Sequence, residues 1–295
     1  MWINKIKSVI LLTLLSGLLL LVGAWFGGST GITIAFLFAL LMNGVMYFYS
    51  DRIVLAMYRA KQIDETQYPQ VIGMVRELSE RMELPMPKVW IIETDLANAF
   101  ATGRNPAHSS VAVTTTLLEI LEPHELRGVL AHEMSHIYNR DILITTIAAT
   151  LATAIGYLAH FAQNMFFWES MSGSRRKDGG NVIGMILIAI LMPIAATILQ
   201  LALSRSREYL ADETGAHASR DPLALASALQ KLHNHVRRAP LEQEATAHPA
   251  TASLFIVQPF SGAQGFLELF STHPPLEKRV ERLQQLHEQG LKEQA

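Results

Sequence analysis

Two histidines and a glutamate stand together in the segment His132-Glu133-Met134-Ser135-His136. Helical residues four apart project from one face about one turn apart, so His132 and His136 can bind one zinc ion. Glu133 points to a neighbouring face, where its carboxylate can act as general base on a water molecule and later pass the proton to the leaving amine. The spacing therefore predicts the core of a metalloprotease site on one helix. A helix with two packed or surface histidines and a solvated glutamate is the alternative interpretation.

A zinc site of this kind needs a third protein ligand, which leaves the fourth position to water. The chain has no cysteine, so the ligands must be His, Asp or Glu. Glu208 is the best downstream candidate. Asp212 follows one helical turn later on the same face, where it can accept the free N–H of a ligating imidazole. A charge cluster that marks the end of a membrane span is the alternative for this segment.

Three long stretches of the chain contain no Asp, Glu, Lys or Arg, and they predict four membrane spans. The first, 8–50, is broken by Gly27-Gly28-Ser29-Thr30-Gly31 into two segments that are each close to the roughly 20 residues that a bilayer requires. The predicted spans are 6–26, 32–49, 145–168 and 182–203. A cleavable signal peptide is the alternative for the first segment, and a buried hairpin of a soluble domain is the alternative for the last two.

Basic residues next to the spans predict their orientation. Two lysines, Lys5 and Lys7, lie at the start of the first span, and three basic residues beginning at Arg52 follow the second, whereas the loop between these spans is uncharged. The positive-inside rule therefore places the N-terminus and the region after Arg52 in the cytoplasm. The basic segment 175–177 disagrees, because this orientation places it outside.

The last two predicted spans explain how distant ligands can meet. His136 lies six residues before the charge-free stretch that begins at Ile142, and Glu208 lies four residues after Ser204, where the next such stretch ends. If the two spans form a hairpin, both flanking helices leave the membrane at the same face. The ligands, which 71 residues separate along the chain, then converge near that surface.

The remaining segments predict helices around a small sheet. Apolar residues at helical spacing predict helices at 68–84, 116–121, 124–140, 205–219 and 223–236, with a last helix that Pro274-Pro275 opens. Short β-prone runs at 89–92, 97–101 and 111–113 predict about three strands, separated by turn formers such as Gly103-Arg104-Asn105-Pro106. Residues 239–271 are predicted to form a loop or mobile arm, and 289–295 a frayed tail.

Composition limits the function classes. Half the residues are hydrophobic, 17% are charged and the formal net charge is −2, so no basic field is available to attract nucleic acid. A transporter is a second hypothesis, but four spans are few and none carries a buried acidic or basic residue that would mark an ion path. A zinc-stabilised scaffold without catalysis is a third, and it would not require Glu133.

Four segments in a fixed order carry a resemblance to a known family. They are 98–103, 132–136, 206–212 and 271–275, and Arg279 follows them. Together with the two N-terminal apolar segments, they resemble the HtpX family of bacterial membrane zinc proteases, which is related to the CaaX prenyl proteases. The resemblance covers nearly the whole chain.

The resemblance implies that His132, His136 and Glu208 hold one zinc ion per chain and that Glu133 is the base. It also implies that His273 and Arg279 reach the cleft and stabilise the oxyanion that develops on the attacked carbonyl. Without the resemblance, these two residues would be interpreted as a helix cap and a solvated side chain.

The strand that contains Asn98, Ala99, Phe100 and Ala101 is implied to be an edge strand that pairs with extended substrate backbone. The implied partners are membrane-protein substrates and the lipid bilayer, and the family's role is quality control of damaged or misassembled membrane proteins, often under stress. Self-cleavage is also implied. Processing of lipidated peptides is the alternative within the protease class.

The expected fold is therefore a mainly α membrane protein with four transmembrane helices and a zincin-like α+β catalytic domain that contains a small β-sheet. The expected parts are an N-terminal pair of spans at 1–50, a cytoplasmic protease part at 51–141, a transmembrane hairpin at 142–204 and a helical protease part at 205–295. The expected location is the cytoplasmic membrane of a bacterium, with the catalytic part facing the cytoplasm.

Overall fold

The structure is a computed structural model that describes residues 2–143, 146–147, 205–238 and 274–294. Nearly all of the predicted span 145–168 lies outside these residues, as do the span 182–203, the segment 239–271 and His273. The division of the chain into four parts therefore stays a prediction.

The N-terminal helix α1 runs from Trp2 to Met57 and is interrupted at Gly28, whose φ of 54° is a conformation that glycine adopts readily. The Nδ2 of Asn43 donates a hydrogen bond to the Oγ of Ser16 at 2.9 Å. Residues 27 apart would be about 40 Å apart on a straight helix, so the two halves fold back on each other. The predicted break after the first apolar segment is thus present.

The second half of α1 contains Gly28–Val45, a stretch that is long and apolar enough to cross a membrane and of which only 6% is buried. It is the one such stretch among the residues that the structure describes, and it corresponds to the second predicted span. The prediction of four spans is not confirmed.

The sheet has four strands and is mixed. Its strands are β1 (Lys61–Gln62), β2 (Lys88–Ile92), β3 (Ala99–Asn105) and β4 (His108–Thr114). The spatial order is β1-β2-β4-β3, with β2 and β4 parallel and the other two pairs antiparallel. The sequence predicted about three strands, because β1 has only two residues and no apolar pattern. Strand β3 lies at an edge of the sheet.

The β3–β4 hairpin differs in one detail from the predicted turn. Strand β3 continues through Gly103 to Asn105, so the turn itself is formed by Pro106 and Ala107. Gly103 has a φ of 139°, and a Cβ there would lie 2.3 Å from the carbonyl oxygen of His108. The glycine is therefore required by close approach inside the strand and not by the turn.

Both faces of the sheet are covered. On one face, Phe100 and Ala112 pack against Val54 and Leu55 near the end of α1. On the other face, alternate residues of the same strands join the main core, which also includes apolar residues from the helices. The sheet thus connects the N-terminal helix to the rest of the protein.

Six further helices complete the described fold. They are α2 (Pro69–Arg81), α3 (Thr115–Ile120), α4 (Pro123–Tyr138), α5 (Arg205–Ser219), α6 (Pro222–Arg238) and α7 (Leu276–Gln294). All lie within three residues of their predicted bounds, except that α7 continues to Gln294. Helix α7 thus includes most of the segment 289–295 that was predicted to be a frayed tail, and most residues of that segment are good helix formers.

Helix α4 is the centre of the catalytic half and is buried on nearly all sides by β3, α2, α5 and α6. It begins with Pro123 and with a capping box in which Glu122 and Glu125 bond reciprocally to each other's backbone. It ends at Tyr138, after which Arg140 adopts a left-handed conformation with φ 57°. This turn directs the next residue, Asp141, back toward the helix.

Candidate active site

Helix α4 places the two predicted histidine ligands side by side. The rings of His132 and His136 have centroids 4.9 Å apart and are almost perpendicular, at 89°. His132 is buried, and the His136 side chain is 13% exposed. The spacing of four residues thus produces the convergence that the sequence predicted.

Glu208 on α5 completes the cluster. Its Oε2 lies 3.7 Å from the Nε2 of His132, and its Oε1 lies 3.7 Å from the Nε2 of His136. One ligand atom from each of the three residues can be chosen so that all lie within 4.8 Å of one another. The two helices that carry these residues pack directly against each other.

Gly215 permits this close packing of α4 and α5. A Cβ at Gly215 would lie 2.9 Å from the backbone nitrogen of His132 and 3.0 Å from its Cα. Glu208, Asp212 and Gly215 share one face of α5 at helical spacing. The missing side chain therefore lets the two carboxylates reach the histidines.

The Nδ1 of His132 lies 2.9 Å from the Oδ1 of Asp212, the carboxylate that the sequence predicted to accept the N–H of a ligating imidazole. Arg279 on α7 donates two hydrogen bonds to the same carboxylate, from Nε at 2.8 Å and from Nη2 at 2.7 Å. Burial raises the pKa of Asp212, but the charge and hydrogen bonds of Arg279 and His132 outweigh it and lower the pKa. Asp212 is thus held ionised beside His132, whose Nε2 faces the cluster.

Asp141 holds the equivalent position beside His136 and was not identified from the sequence. Its Oδ2 lies 3.2 Å from the Nδ1 of His136 and 4.0 Å from the Nε of Arg207, and the residue is fully buried. Burial lowers the pKa of His136, but the negative charges of Asp141, Glu208 and Glu133 outweigh it and raise the pKa to about 10. The position of His136 therefore favours a cation strongly.

The charge of the cluster fits a divalent metal. Glu133, Glu208, Asp212 and Asp141 supply four buried carboxylates, and Arg207 and Arg279 supply two guanidinium groups. With neutral imidazoles, these groups leave an excess of two negative charges in a region where unpaired charge is costly. Two imidazole nitrogens and one carboxylate are also one of the ligand sets found in catalytic zinc sites. The residues thus fit zinc in both charge and ligand chemistry.

Glu133 lies beside the cluster and is connected to the edge strand. Its Oε2 accepts a hydrogen bond from the backbone nitrogen of Ala101 at 3.0 Å, and the residue is buried. Burial raises its pKa more than the neighbouring histidines lower it, and Glu208 raises it further. A carboxylate with a raised pKa is better suited to accept and return a proton near neutral pH.

The four residues predicted to bind substrate do not all face the same way. The carbonyl of Asn98 accepts a hydrogen bond from the nitrogen of Thr114 on β4. Because backbone polar groups alternate along a strand, those of Ala99 and Ala101 point to the free edge. Phe100 directs its side chain away from the cluster, into the packing against α1.

Arg279 lies beside the cluster, as predicted, and its Nη1 is 3.8 Å from the Oε2 of Glu208. The sequence did not reveal its pairing with Asp212, because α7 follows α5 at a distance along the chain that no spacing rule covers. The sequence contained one weak indication of the role of Asp141. This acidic residue stands directly before a charge-free stretch, where a carboxylate is stable only if it has a partner.

Comparison with known proteins gave consistent matches. Residues 65–287 match peptidase family M48. The chain is 50% identical over 284 residues to the Protease HtpX homolog of Syntrophobacter fumaroxidans, which covers 96% of this chain and 99% of that protein. It is 50% identical over 289 residues to the homolog of Paraburkholderia phytofirmans, covering 97% and 98%. The crystal structure of S. mikatae Ste24p aligns with a TM-score of 0.49 and 20% identity, covering 96% of this chain and 66% of that one.

Proposed function

The chain belongs to peptidase family M48, with HtpX proteases as relatives, and we propose that it hydrolyses peptide bonds of damaged or misfolded membrane proteins at the cytoplasmic face of the membrane. Membership makes it a zinc metalloprotease associated with a membrane. The cytoplasmic face, the kind of substrate and the role of each residue are the proposed parts.

One observation carries the proposal: Glu208, His132 and His136 meet within 4.8 Å at a point where Glu133 touches the edge strand. His132, His136 and Glu208 would hold the zinc ion, and Asp212 and Asp141 would orient the two imidazoles. The bound ion supplies a Lewis acid that polarises the scissile carbonyl and lowers the pKa of water. The chain's own groups then position the substrate and move the proton.

Glu133 is the group that moves the proton. Its carboxylate takes the proton from the attacking water and passes it to the leaving amine nitrogen as the peptide bond breaks. The hydrogen bond from Ala101 holds one of its oxygens, and the other oxygen would face the reacting atoms. Arg279, which lies near Glu208, and His273 would donate hydrogen bonds to the negative charge that develops on the carbonyl oxygen.

Strand β3 would bind the substrate as an added strand. The backbone groups of Ala99 and the carbonyl of Ala101 point to the free edge and can pair with extended polypeptide, whereas the nitrogen of Ala101 is bonded to Glu133. Such pairing recognises backbone and not side chains. This supports a broad substrate range, as expected for removal of damaged proteins.

We propose four spans, with 145–168 and 182–203 forming a hairpin that brings α4 and α5 to one membrane face. The basic residues that follow α1's apolar stretch support a cytoplasmic location for the catalytic part. The segment 175–177 is the feature that opposes it.

The proposed function is tested with Glu133→Gln, which keeps the shape of the side chain and removes the base. The full chain is reconstituted in vesicles with a misfolded membrane-protein substrate, and cleavage is followed with and without a zinc chelator. We expect Glu133→Gln and chelation each to lower the rate by at least about 100-fold. Glu80→Gln, an exposed change on α2, is the matched control. Equal cleavage by wild type and Glu133→Gln would contradict the proposal.

A further inference from the structure

The apolar stretch of α1 ends next to three consecutive aromatic residues. Tyr47, Phe48 and Tyr49 begin two residues after Val45, the last residue of Gly28–Val45, and each is 39–53% exposed. At 1.5 Å per residue they lie about 3–6 Å beyond the apolar stretch. Aromatic residues at this depth are typical of the boundary between hydrocarbon and headgroups.

Two arginines lie over these aromatic rings. The guanidinium carbon of Arg52 is 5.5 Å from the ring centre of Tyr49, and that of Arg104 is 5.2 Å from the ring centre of Phe48. Within the described residues, neither arginine forms an ion pair with a carboxylate. Their positive charge is therefore available to an anionic group outside the protein.

Arg104 comes from a different part of the chain than Arg52, because it belongs to the C-terminal end of β3. This end of the edge strand also contacts the start of the charge-free stretch that begins at Ile142. The Oγ1 of Thr146 is 3.0 Å from the Oγ1 of Thr102 and accepts from the nitrogen of Gly103 at 3.4 Å. Thr146 lies four residues inside the charge-free stretch that begins at Ile142. Two separate apolar segments thus border the same end of β3.

From this arrangement, we propose that the C-terminal end of β3 lies in the headgroup layer of the bilayer and that Arg104, with Arg52, binds lipid phosphate. The guanidinium fork matches phosphate oxygens in geometry and charge. The aromatic rings beneath hold the two side chains at the depth of the phosphates.

A consequence for substrate binding rests on the proposed function. Ala101, which bonds to Glu133, is three residues from Arg104, or about 10 Å along an extended strand. A polypeptide that leaves the bilayer beside Arg104 therefore reaches the base within about four residues, because each extended residue spans about 3.3 Å. The site therefore accepts peptide bonds that lie very close to the end of a substrate's transmembrane helix. A cleft farther from the membrane would require a longer segment between that helix and the cleaved bond.

Labelling of single cysteines tests the depth directly, because the chain has no cysteine of its own. Ala107→Cys, at the exposed hairpin turn, and Glu119→Cys, an exposed residue beyond the other end of β4, are each spin-labelled in the Glu133→Gln chain. The protein is placed one chain per nanodisc, in phosphatidylcholine with phosphatidylglycerol. A nickel chelate attached to lipid headgroups should relax the label at residue 107 strongly and the label at residue 119 weakly. Equal relaxation of the two labels would overturn the proposal.

Arg104→Gln tests the phosphate contact. A basic residue near an anionic surface changes the ratio of membrane-docked to undocked states of the hairpin by about fivefold. The relaxation at residue 107 should therefore fall in Arg104→Gln. Arg104→Lys keeps the charge and should retain most of the relaxation. Arg76→Gln, an exposed arginine on α2, is the matched control. No change in Arg104→Gln would overturn the proposal. The proposal would also be overturned if the relaxation at residue 107 depended on having two chains in one disc, because the surface would then be a contact between chains.

The consequence for substrates has its own readout. One cleavage sequence is placed about four or about twenty residues after a transmembrane helix, and the ratio of the two cleavage rates is compared between wild type and Arg104→Gln. We expect the ratio to fall about fivefold in Arg104→Gln. An unchanged ratio would contradict the consequence. Absence of cleavage at both distances by wild type would contradict the proposed function and leave the depth measurement valid.

Discussion

Each of the two histidines on α4 turns its Nδ1 toward a different aspartate, and an arginine lies close to each aspartate. His132 faces Asp212, which Arg279 holds through two hydrogen bonds. His136 faces Asp141, with Arg207 at 4.0 Å. The two sets come from different helices and loops but produce the same effect, since both leave Nε2 directed to the centre of the cluster.

Asp141→Asn should therefore weaken zinc binding although Asp141 does not touch the ion. Loss of the carboxylate makes His136 a weaker and less well oriented ligand, so we expect zinc affinity to fall by about 10–100-fold. Competition with a chromogenic chelator measures this in detergent-purified Glu133→Gln protein. Asp95→Asn, an exposed change before β3, should bind zinc like the parent. If Asp141→Asn also binds like the parent, Asp141 does not position His136.

At the scale of elements, the site depends on how closely α4 and α5 approach each other. A Cβ at Gly215 would meet backbone atoms of Ala131 and His132 at 2.9–3.0 Å, and a backbone cannot rotate away as a side chain can. Gly215→Ala should separate the helices by a few tenths of an ångström. Zinc affinity should then fall by about tenfold or more, because Glu208 and Asp212 both retreat from His132.

Gly73→Ala is the matched control for this prediction. Gly73 lies on the exposed side of α2, with nothing within 4 Å of a built Cβ, so the change should preserve zinc binding and slightly favour the helix. The same chelator competition applies to both variants. Unchanged zinc affinity in Gly215→Ala would contradict the prediction, because it would show that α4 and α5 can accommodate the added methyl group without moving the ligands apart.

A second contact between elements connects the start of α4 to α6. Buried Glu125 accepts hydrogen bonds from Ser227 Oγ at 2.6 Å, Lys231 Nζ at 2.7 Å and the backbone of Glu122 at 2.9 Å. Burial raises the pKa of Glu125, but these bonds outweigh it and lower the pKa. The contribution to stability is therefore present above the unfolded pKa and is lost as pH falls through the folded one.

Glu125→Gln should destabilise the protein by about 1–2 kcal/mol at neutral pH. The difference from wild type should stay constant between about pH 6 and 8 and shrink below about pH 4.5, where the wild-type carboxylate also takes up a proton. Thermal unfolding in detergent, in the Glu133→Gln chain, measures both effects. A difference that grows as the pH falls would contradict this account of the contact.

At the scale of the whole molecule, the sequence predicted the helices well and the relations between them poorly. Periodic apolar residues are local, so the bounds of α2 to α6 were predictable to within three residues. The pairing of Arg279 with Asp212 and the return of Asp141 to His136 depend on tertiary packing and on a left-handed turn at Arg140. Such contacts cannot be predicted from the spacing of residues along the chain.

The edge strand shows the same limit. The sequence indicated a strand at 97–101, and the family resemblance implied its edge position, but both treated Asn98, Ala99, Phe100 and Ala101 alike. The direction of each backbone group depends on the register with β4, in which Ala99 pairs with Val113 and Ala101 with Val111. Only two of the four residues consequently face the free edge, and one of these already bonds to Glu133.

The central claim is that His132, His136 and Glu208 hold one zinc ion, and zinc content tests it most directly. Full-length Glu133→Gln and Glu133→Gln with Glu208→Gln are purified in parallel and analysed for metal per chain after dialysis against a weak chelator. The account predicts one zinc ion per chain in the first protein and almost none in the second, because loss of a charged ligand from a three-ligand site removes most of the affinity. Full zinc occupancy in the second protein would contradict the account.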